Sequence, residues 1–357
     1  MCTTGFCSII RYCFTICVLI YGFFHITLEM IQTFVPIGML FVGLFSVGIF
    51  VIRIPPPDNE VVEAIVGKPL TEEAECPDEY YMKTVAHRGA GLDAPENSLI
   101  AFDMCHRKGC NAIEFDVALT LDSIPIVFHD DTLERMTDMD LIVSKTKWDE
   151  LSKTDISVKH PFKERFVDTR IPTLYETIEQ LLKSGQYMFI DVKDSSGKAV
   201  NIILNLYEKY PELYSKAIVS SFLPNLIYYI RRSNPRIVCS LAWRPHCFTH
   251  CSYSAATGVG DRRTSNILKY WLLCLFDIVH EWLLSRVTYY LLGISLILLH
   301  KDAISPRVVE QWQKKGVRVI AWTVNHPVEK QYFSRVVKIT YMTDTLTGEN
   351  SVHSSSN

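Results

Sequence analysis

From Thr84 onward, short apolar segments typical of strands alternate with amphipathic segments typical of helices. This alternation restricts the chain to parallel α/β architectures. Strands are predicted at residues 84–86, 112–117, 125–128, 187–192, 217–221, 236–242, 294–299 and 317–324. Eight strands with intervening helices over roughly 270 residues predict a (β/α)8 TIM barrel. The alternative fold is an open doubly wound sheet.

The predicted strand at 112–117 carries two carboxylates on one face. Side chains alternate along a strand, so Glu114 and Asp116 point one way while Ile113 and Phe115 point the other. Unpaired buried carboxylates cost several kcal/mol, and a divalent cation with oxygen ligands would neutralise them. The alternative is an edge strand with two solvated acids.

Further polar or aromatic side chains stand at the ends of other predicted strands. These residues are His87, Arg88, His129, Asp191, Lys193 and Trp322. Each has a structural explanation by itself, such as a core histidine, an ion pair or simple packing. Because active sites of TIM barrels lie at the carboxyl ends of the strands, the set as a whole predicts an active site.

The N-terminal region is apolar over residues 9–52, apart from Arg11, His25, Glu29 and Gln32. This length suffices for one long membrane span or two, since a span needs about 20 apolar residues. A cleaved signal peptide is the alternative. We predict a membrane anchor at 1–54 with one or two helices, a linker at 55–82, a catalytic domain at 83–347 and a tail at 348–357.

A second apolar stretch, at residues 267–292, lies between two predicted barrel strands. A single membrane crossing there would separate the last strands from the others. We therefore predict a membrane-associated helix that lies in or on the bilayer as an insert before strand 7. The alternative is an unusually hydrophobic helix of the barrel.

The net charge of −3, with 21% charged residues, excludes a nucleic-acid partner, because no basic field is present. The expected partners are membrane lipid and a substrate. The sequence does not indicate any protein partner. We predict an integral membrane protein of the plasma membrane or endomembrane vesicles, with the side of the catalytic domain left open.

Six short motifs resemble, in order and spacing, those of the glycerophosphodiester phosphodiesterase family, including its membrane-bound mammalian members. The resemblance covers about residues 83–347. The motifs are His87-Arg88-Gly89, Pro95-Glu96-Asn97-Ser98, Glu114-Phe115-Asp116, Ile126-Val127-Phe128-His129-Asp130, Asp191-Val192-Lys193 and Trp322-Thr323-Val324-Asn325.

The resemblance implies a TIM barrel that uses one divalent cation, with Mg²⁺ expected in preference to Ca²⁺, to hydrolyse glycerophosphodiesters. The residue roles that it implies are as follows: Glu114, Asp116 and Asp191 would bind the metal, His87 and His129 would be the general acid/base pair, Arg88 and Lys193 would hold the phosphate, Glu96 would orient the first histidine or the glycerol, and Trp322 would pack against the substrate.

The substrates that this implies are glycerophosphoinositol, glycerophospho-N-acylethanolamines and lysophospholipids. The products would be glycerol 3-phosphate or lysophosphatidate and an alcohol, which would give a role in lipid metabolism that includes N-acylethanolamine formation. Attack by water and attack by the glycerol 2-hydroxyl both remain open. The alternative functions are a phospholipase C-like phosphodiesterase and a catalytically silent membrane scaffold.

Overall fold

The computed structural model describes residues 3–68, 81–194 and 196–349. The chain divides into two compact units, Met1–Arg53 and Ile54–Asn357. The first unit is a continuous helix, α1 (Thr3–Ile52). Its segment Phe14–Ile52 is apolar and 39 residues long, so by length and composition it could cross a membrane, as predicted. The hydroxyls of Thr27 and Ser46 donate to carbonyl groups four residues earlier, both at 2.8 Å, and so need no external partner.

The second unit contains the remaining elements of the described chain. Its helices are α2 (Asn59–Val66), α3 (Leu99–Arg107), α4 (Trp148–Leu151), α5 (Leu174–Lys183), α6 (Gly197–Lys209), α7 (Leu213–Lys216), α8 (Pro224–Ser233), α9 (Ile267–Leu283), α10 (Tyr289–Leu292), α11 (Pro306–Gln313) and α12 (Pro327–Gln331). Its strands are β1 (Thr84–Ala86), β2 (Ala112–Leu119), β3 (Pro125–Val127), β4 (Tyr187–Val192), β5 (Ala217–Ser221), β6 (Cys239–Trp243), β7 (Tyr253–Ser254), β8 (Gly258–Val259), β9 (Leu296–His300), β10 (Arg318–Trp322) and β11 (Tyr341–Thr343).

Eight parallel strands close into a barrel, which confirms the predicted TIM-barrel fold. Their order is β1, β2, β4, β5, β6, β9, β10 and β11, and β11 pairs back with β1. The apolar insert is helical, as expected, and comprises α9, a π-helical turn (Leu284–Thr288) and α10. β7 and β8 form a separate two-stranded ribbon just before it.

One predicted barrel strand was assigned wrongly. β3 is not in the barrel, because it runs antiparallel to the end of β2, with Val117 opposite Val127. The eighth barrel strand is β11, which was not predicted. The connection from β2 to β3 is too short for the crossover that a parallel pair requires, and a hairpin is the geometry that such a connection allows.

The barrel interior changes from apolar to polar along the strands. On β2 the inward positions are Ala112, Glu114 and Asp116, and Ala112 belongs to an apolar cluster near the amino ends of the strands. The outward positions Ile113 and Phe115 belong to the larger core that packs under the surrounding helices. The strand alternation thus separates the site from the main core.

The segment predicted as a linker contains α2, which forms the floor of the barrel. Val62, Ile65 and Val66 are buried in the same cluster as Ala112. The N–H of Met82 donates to the carbonyl of Val66 at 3.1 Å, so α2 lies at the amino end of β1. Residues 69–80 of the predicted linker lie outside the described residues. Closing a barrel leaves an apolar end that something must cover, and α2 covers it.

The other end of the domain also extends past the predicted boundary. Glu349 was assigned to the tail, yet it accepts hydrogen bonds from Lys330 and, at 2.8 Å, from the hydroxyl of Tyr341. Lys330 is only 1% exposed, so this carboxylate neutralises a buried ammonium group. Residues 350–357 of the predicted tail lie outside the described residues.

Candidate active site

A cavity of about 720 Å³ opens at the carboxyl ends of the barrel strands. The predicted residues that line it are His87, Arg88, Glu114, Asp116, His129, Asp191, Lys193 and Trp322. Glu96 lines a neighbouring cavity of about 430 Å³, which it shares with His87 and Arg88. All the residues that the sequence singled out therefore lie at one end of the barrel, where TIM-barrel active sites are found.

Three carboxylates converge at the centre of this cavity. Glu114, Asp116 and Asp191 each offer an oxygen atom, and these oxygens lie within 4.8 Å of one another. The convergence follows from strand register, because Asp116 pairs with Asp191 across β2 and β4. All three are buried, with exposures of 4%, 2% and 7%. Such a set of oxygens is a typical ligand set for a hard divalent cation.

Asp116 is held in its ionised form by neighbours on three sides. The ammonium of Lys193 lies 3.0 Å from Oδ1, the guanidinium of Arg88 lies 3.4 Å from Oδ2, and Asn97 donates to Oδ2 at 2.8 Å. Burial favours the neutral acid, but Lys193 and Arg88 outweigh it and hold the pKa of Asp116 far below its usual range. Lys193 also lies 3.2 Å from Asp191, so it bridges two of the three carboxylates.

Glu114 has the opposite electrostatic character. Burial and the neighbouring charge of Asp116 raise its pKa to about 8. The backbone N–H of Arg88 donates to Glu114 Oε2 at 2.9 Å, and Arg88 has a φ of 52°, in the left-handed region. Residues other than glycine rarely adopt this backbone conformation. Here the conformation points the N–H of Arg88 at the carboxylate of Glu114. Without a cation, the three carboxylates retain a proton on Glu114 near neutral pH.

Each of the two histidines is oriented by an aspartate. Nδ1 of His87 lies 2.6 Å from Asp344, which also accepts from Asn325 at 2.8 Å. Nδ1 of His129 lies 2.5 Å from Asp130. Burial would raise the pKa values of Asp344 and Asp130, but His87 at Asp344, and His129 together with Arg135 at Asp130, outweigh it and lower both pKa values. Ionised carboxylates only accept, so Nδ1 of each histidine donates and Nε2 is left to act on a substrate.

The pKa of His87 is raised above its usual value. Burial lowers it, but the nearby Glu114 and the hydrogen bond to Asp344 raise it by more. His87 Nε2 lies 3.8 Å from Glu114. The raised pKa stabilises the imidazolium form of His87 relative to that of a free histidine, which suits a proton donor.

Arg135 joins the two halves of the site. Its Nε donates to Asp130 at 2.6 Å, and its two terminal nitrogens donate to Glu96 at 2.9 and 2.6 Å. Glu96 in turn accepts from Arg88 at 3.1 Å. Glu96 thus holds the two arginines, while Asp344 orients His87. A bidentate arginine–carboxylate pair fixes both direction and distance, so the position of His129 is tied to that of Arg88.

Aromatic rings form one wall of the cavity. Trp322 contacts Phe222 and His300 edge to face, with ring centroids 5.6 and 5.1 Å apart. His300 in turn contacts Tyr253 at 5.4 Å. The indole N–H of Trp322 is buried without a hydrogen-bond partner among the described residues. This wall therefore offers a mainly aromatic surface to the cavity.

Several functional residues were missed by the sequence analysis. Asp344 follows β11, and its role would have been visible had Tyr341–Thr343 been identified as a strand. Asn97 lay inside a recognised motif without an assigned role. Arg135 and His300 had no local sequence signal, because long-range folding alone brings them to the site.

Comparisons with known proteins give a consistent result. Residues 87–346 match the model of the glycerophosphoryl diester phosphodiesterase family. Glycerophosphodiester phosphodiesterase 1 of Mus musculus is 34% identical over 265 residues, which cover 74% of this chain and 78% of that protein. A glycerophosphodiester phosphodiesterase of Caldanaerobacter subterraneus is 31% identical over 263 residues, covering 72% and 91%. The predicted resemblance to the family and its mammalian members is confirmed.

The fold is also found in solved structures. A phosphodiesterase of Oleispira antarctica, solved in complex with the product sn-glycerol-3-phosphate, has a TM-score of 0.57 and 22% identity, covering 76% of this chain and 96% of that one. A likeness at this identity supports the barrel alone. Together with the family match and the sequence relatives, the conclusion is that the chain belongs to the glycerophosphoryl diester phosphodiesterase family and is a phosphoric diester hydrolase.

Proposed function

We propose that this chain hydrolyses glycerophosphoinositol, glycerophospho-N-acylethanolamines and lysophospholipids with the help of one divalent cation. The products would be glycerol 3-phosphate or lysophosphatidate and an alcohol, in lipid metabolism that includes N-acylethanolamine formation. The observation that carries the proposal is the cluster of Glu114, Asp116 and Asp191 between the two histidine–aspartate pairs.

The donor set fits a hard cation. Three carboxylates supply oxygen ligands, and a proton retained on Glu114 is what a cation would displace. We propose Mg²⁺ in preference to Ca²⁺, because Mg²⁺ is bound through a few carboxylates together with phosphate oxygens, whereas Ca²⁺ takes more ligands. When bound, the cation would supply Lewis-acid stabilisation of the negative charge that develops on the phosphate.

The side chains divide the remaining work among themselves. Arg88 and Lys193 offer fixed positive charge to the phosphate. His87, whose pKa is raised, would donate a proton to the leaving alcohol, and His129 would accept one from the nucleophile. Glu96 holds Arg88 in place, and Trp322 would pack against the substrate.

We further propose that α1 anchors the protein in the plasma membrane or endomembrane vesicles. The length of Phe14–Ile52, 39 residues, is compatible with one tilted span or two. Resistance to alkaline carbonate extraction would support the anchor, and full release into the soluble fraction would contradict it. Protease protection of an epitope after the last residue would then assign the side of the catalytic domain.

The direct test is release of glycerol 3-phosphate from glycerophosphoinositol by detergent-purified protein. It is run with Mg²⁺, Ca²⁺ or a chelator, and with Glu114→Ala, His129→Ala and the exposed matched control Glu164→Ala. Metal-dependent release that is lost in the first two variants and kept in the control supports the proposal. Release of inositol phosphate instead would indicate phospholipase C-like cleavage, and no release from folded protein would overturn the catalytic proposal.

A further inference from the structure

The helix α9 turns a face of large apolar side chains away from the barrel. A helix on the outside of a barrel normally turns its apolar stripe toward the barrel. On α9, seven apolar side chains lie within about 120° of the circumference, at 3.6 residues per turn. Each is between 41% and 79% exposed; they are Leu268, Trp271, Leu272, Leu275, Ile278, Val279 and Trp282. Contiguous apolar surface of this kind marks an interaction site.

The side of α9 that faces the protein carries two polar side chains that contact a neighbouring loop. The carboxylate of Asp277 accepts from the backbone N–H of Phe248 at 2.9 Å and from the hydroxyl of Thr249 at 2.6 Å. His280 packs edge to face on the ring of Phe248 at 5.3 Å. These bonds fix the orientation of the helix, so it cannot rotate its apolar face inward without losing them.

We propose that the apolar face of α9 is embedded in the interfacial layer of a phospholipid bilayer. Resting on the proposed function, we infer that the cavity thereby takes glycerophosphodiesters bearing an acyl chain while that chain stays in the membrane. Such a helix lies in the membrane plane, with its apolar side chains at the boundary between headgroups and acyl chains.

The second unit begins with a residue that contacts the helical insert. Ile54 follows α1 after a single residue, Arg53, and its N–H donates to the carbonyl of Leu291 in α10 at 2.9 Å. A Cβ at Gly293 would lie 2.1 Å from the Ile54 carbonyl oxygen, so the contact is close. The first residues that follow α1 and Arg53 in the sequence therefore pack on the helical insert.

The composition of the face favours lipid over a protein partner. Trp271 and Trp282 are eleven positions apart, or about 16 Å along the helix, and tryptophan is enriched at membrane interfaces. Lys269 and Arg286 are exposed beside the apolar side chains and complement anionic headgroups. Glu281 is exposed too, and by helical position it lies as far outside the apolar arc as Lys269 does, on the opposite side.

The same helix supports the wall of the active-site cavity. Cys247 and Cys251 line the cavity, and the two residues that bind Asp277, Phe248 and Thr249, lie between them. The guanidinium of Arg244 fixes this loop further by donating to the carbonyls of His250 and Cys251 at 2.7 and 2.9 Å. One short loop thus separates the catalytic cavity from the lipid-facing helix.

Tryptophan fluorescence tests the insertion in the full chain. The sequence has six tryptophans, and none lies in α1. Reconstituted into phosphatidylcholine–phosphatidylserine vesicles with brominated acyl chains, the protein should show quenching that disappears in Trp271→Phe/Trp282→Phe and persists in Trp148→Phe. Absence of quenching, or equal quenching in the double variant, would overturn the proposal. Cross-linking of two copies through α9 without quenching would assign the face to a second copy instead.

Kinetics test the consequence for substrate. In Leu272→Asp/Leu275→Asp, we expect kcat/KM for an acyl-bearing glycerophosphodiester in vesicles to fall about tenfold, equivalent to about 1.4 kcal/mol of docking energy. Hydrolysis of soluble glycerophosphoinositol should be unchanged, and detergent should restore the acyl substrate. An equal loss on both substrates would contradict membrane docking. Quenching without hydrolysis of either substrate would instead leave the docking intact and refute the proposed function.

Discussion

At the amino ends of the barrel strands the interior is filled by Val62, Ile65 and Val66 of α2, whereas at the carboxyl ends it holds three buried carboxylates. Both layers are built on the same strands. On β2, the inward positions pass from Ala112 in the apolar layer to Asp116 in the polar layer within four residues. Burial of apolar surface in the floor stabilises the folded state, whereas burial of clustered charges in the mouth destabilises it.

This contrast indicates that the stability of the barrel and its chemistry reside in different layers. A substitution in the floor should change the free energy of unfolding and leave the turnover rate intact. A substitution in the mouth should do the reverse. The following predictions test that separation in order of decreasing effect.

The largest effect is expected at Glu114. Glu114→Gln removes a proposed metal ligand, and kcat/KM should fall by about 10³-fold or more, since metal and electrostatic contributions of this size are typical. The metal-free variant should be at least as stable as the parent protein, because a carboxyl group that burial disfavours has been removed. Steady-state kinetics and urea unfolding in chelator measure the two quantities.

A loss of stability in Glu114→Gln would show that the mouth contributes to folding and would break the comparison. Glu164→Gln, at an exposed position, is the matched control and should leave both quantities unchanged.

In the floor, Ile65→Ala should lower the free energy of unfolding by about 2–5 kcal/mol, since it leaves a cavity at a fully buried position. At temperatures where the variant stays folded, kcat should equal that of the parent. Urea denaturation followed by circular dichroism, alongside kinetics, provides the test. Glu60→Gln, on the exposed side of α2, is the control, and a matching drop in kcat would mean that the layers are coupled.

Arg135 offers a finer test, because it belongs to the mouth but is proposed only to position other groups. Arg135→Gln should lower kcat about 10- to 100-fold, the range found for residues that orient catalytic groups. KM should change less, and Arg135→Lys should restore little, since lysine cannot make the bidentate contact to Glu96. An unchanged kcat in Arg135→Gln would contradict the proposed positioning role of Arg135.

The smallest single step is that of one pH unit. The pKa of Glu114 is about 8 without metal, so a cation must displace a proton below that pH. Mg²⁺ affinity should therefore rise about tenfold per pH unit up to about pH 8 and then level off. Isothermal titration calorimetry in buffers of different ionisation enthalpy measures both the affinity and the proton released. A pH-independent affinity would contradict the shifted pKa.

The same shift has a consequence for the metal-free fold. The pKa of Glu114 is higher in the folded chain than in an unfolded one, where it is about 4.3. The folded state therefore binds this proton more tightly, and stability should decrease as pH rises from about 4.3 to about 8. Thermal unfolding in chelator across this range gives the measurement, and added Mg²⁺ should reverse the trend.

The sequence predicted the barrel and the main residues of its mouth because both depend on short-range periodicity. Alternation along the strand at 112–117 placed Glu114 and Asp116 on one face, and that placement is found in the structure. The capping box that Thr173 and Glu176 form at the start of α5 is a local pattern of the same kind. Local patterns of this kind are read directly from residue spacing.

Most of the features that were missed depend on contacts between distant segments. The segment 125–127 is the exception, because the connection from β2 is too short for a parallel crossover, and this signal was present in the sequence. The floor was missed because α2 has only eight residues beside a run of prolines, and this composition is typical of a linker. Partners such as Asp344 and Arg135 are brought to the histidines by the closed barrel alone.

The floor made by α2 also bears on where the catalytic unit begins and ends. The family match covers residues 87–346, yet β1, α2 and Glu349 all lie outside it. A fragment limited to residues 87–346 would expose the apolar interior of the barrel and would leave the buried ammonium of Lys330 without the carboxylate of Glu349. A truncated enzyme without α1 should therefore start at Ile54. The part of the chain that must be present for the barrel to fold is longer than the part that matches the family.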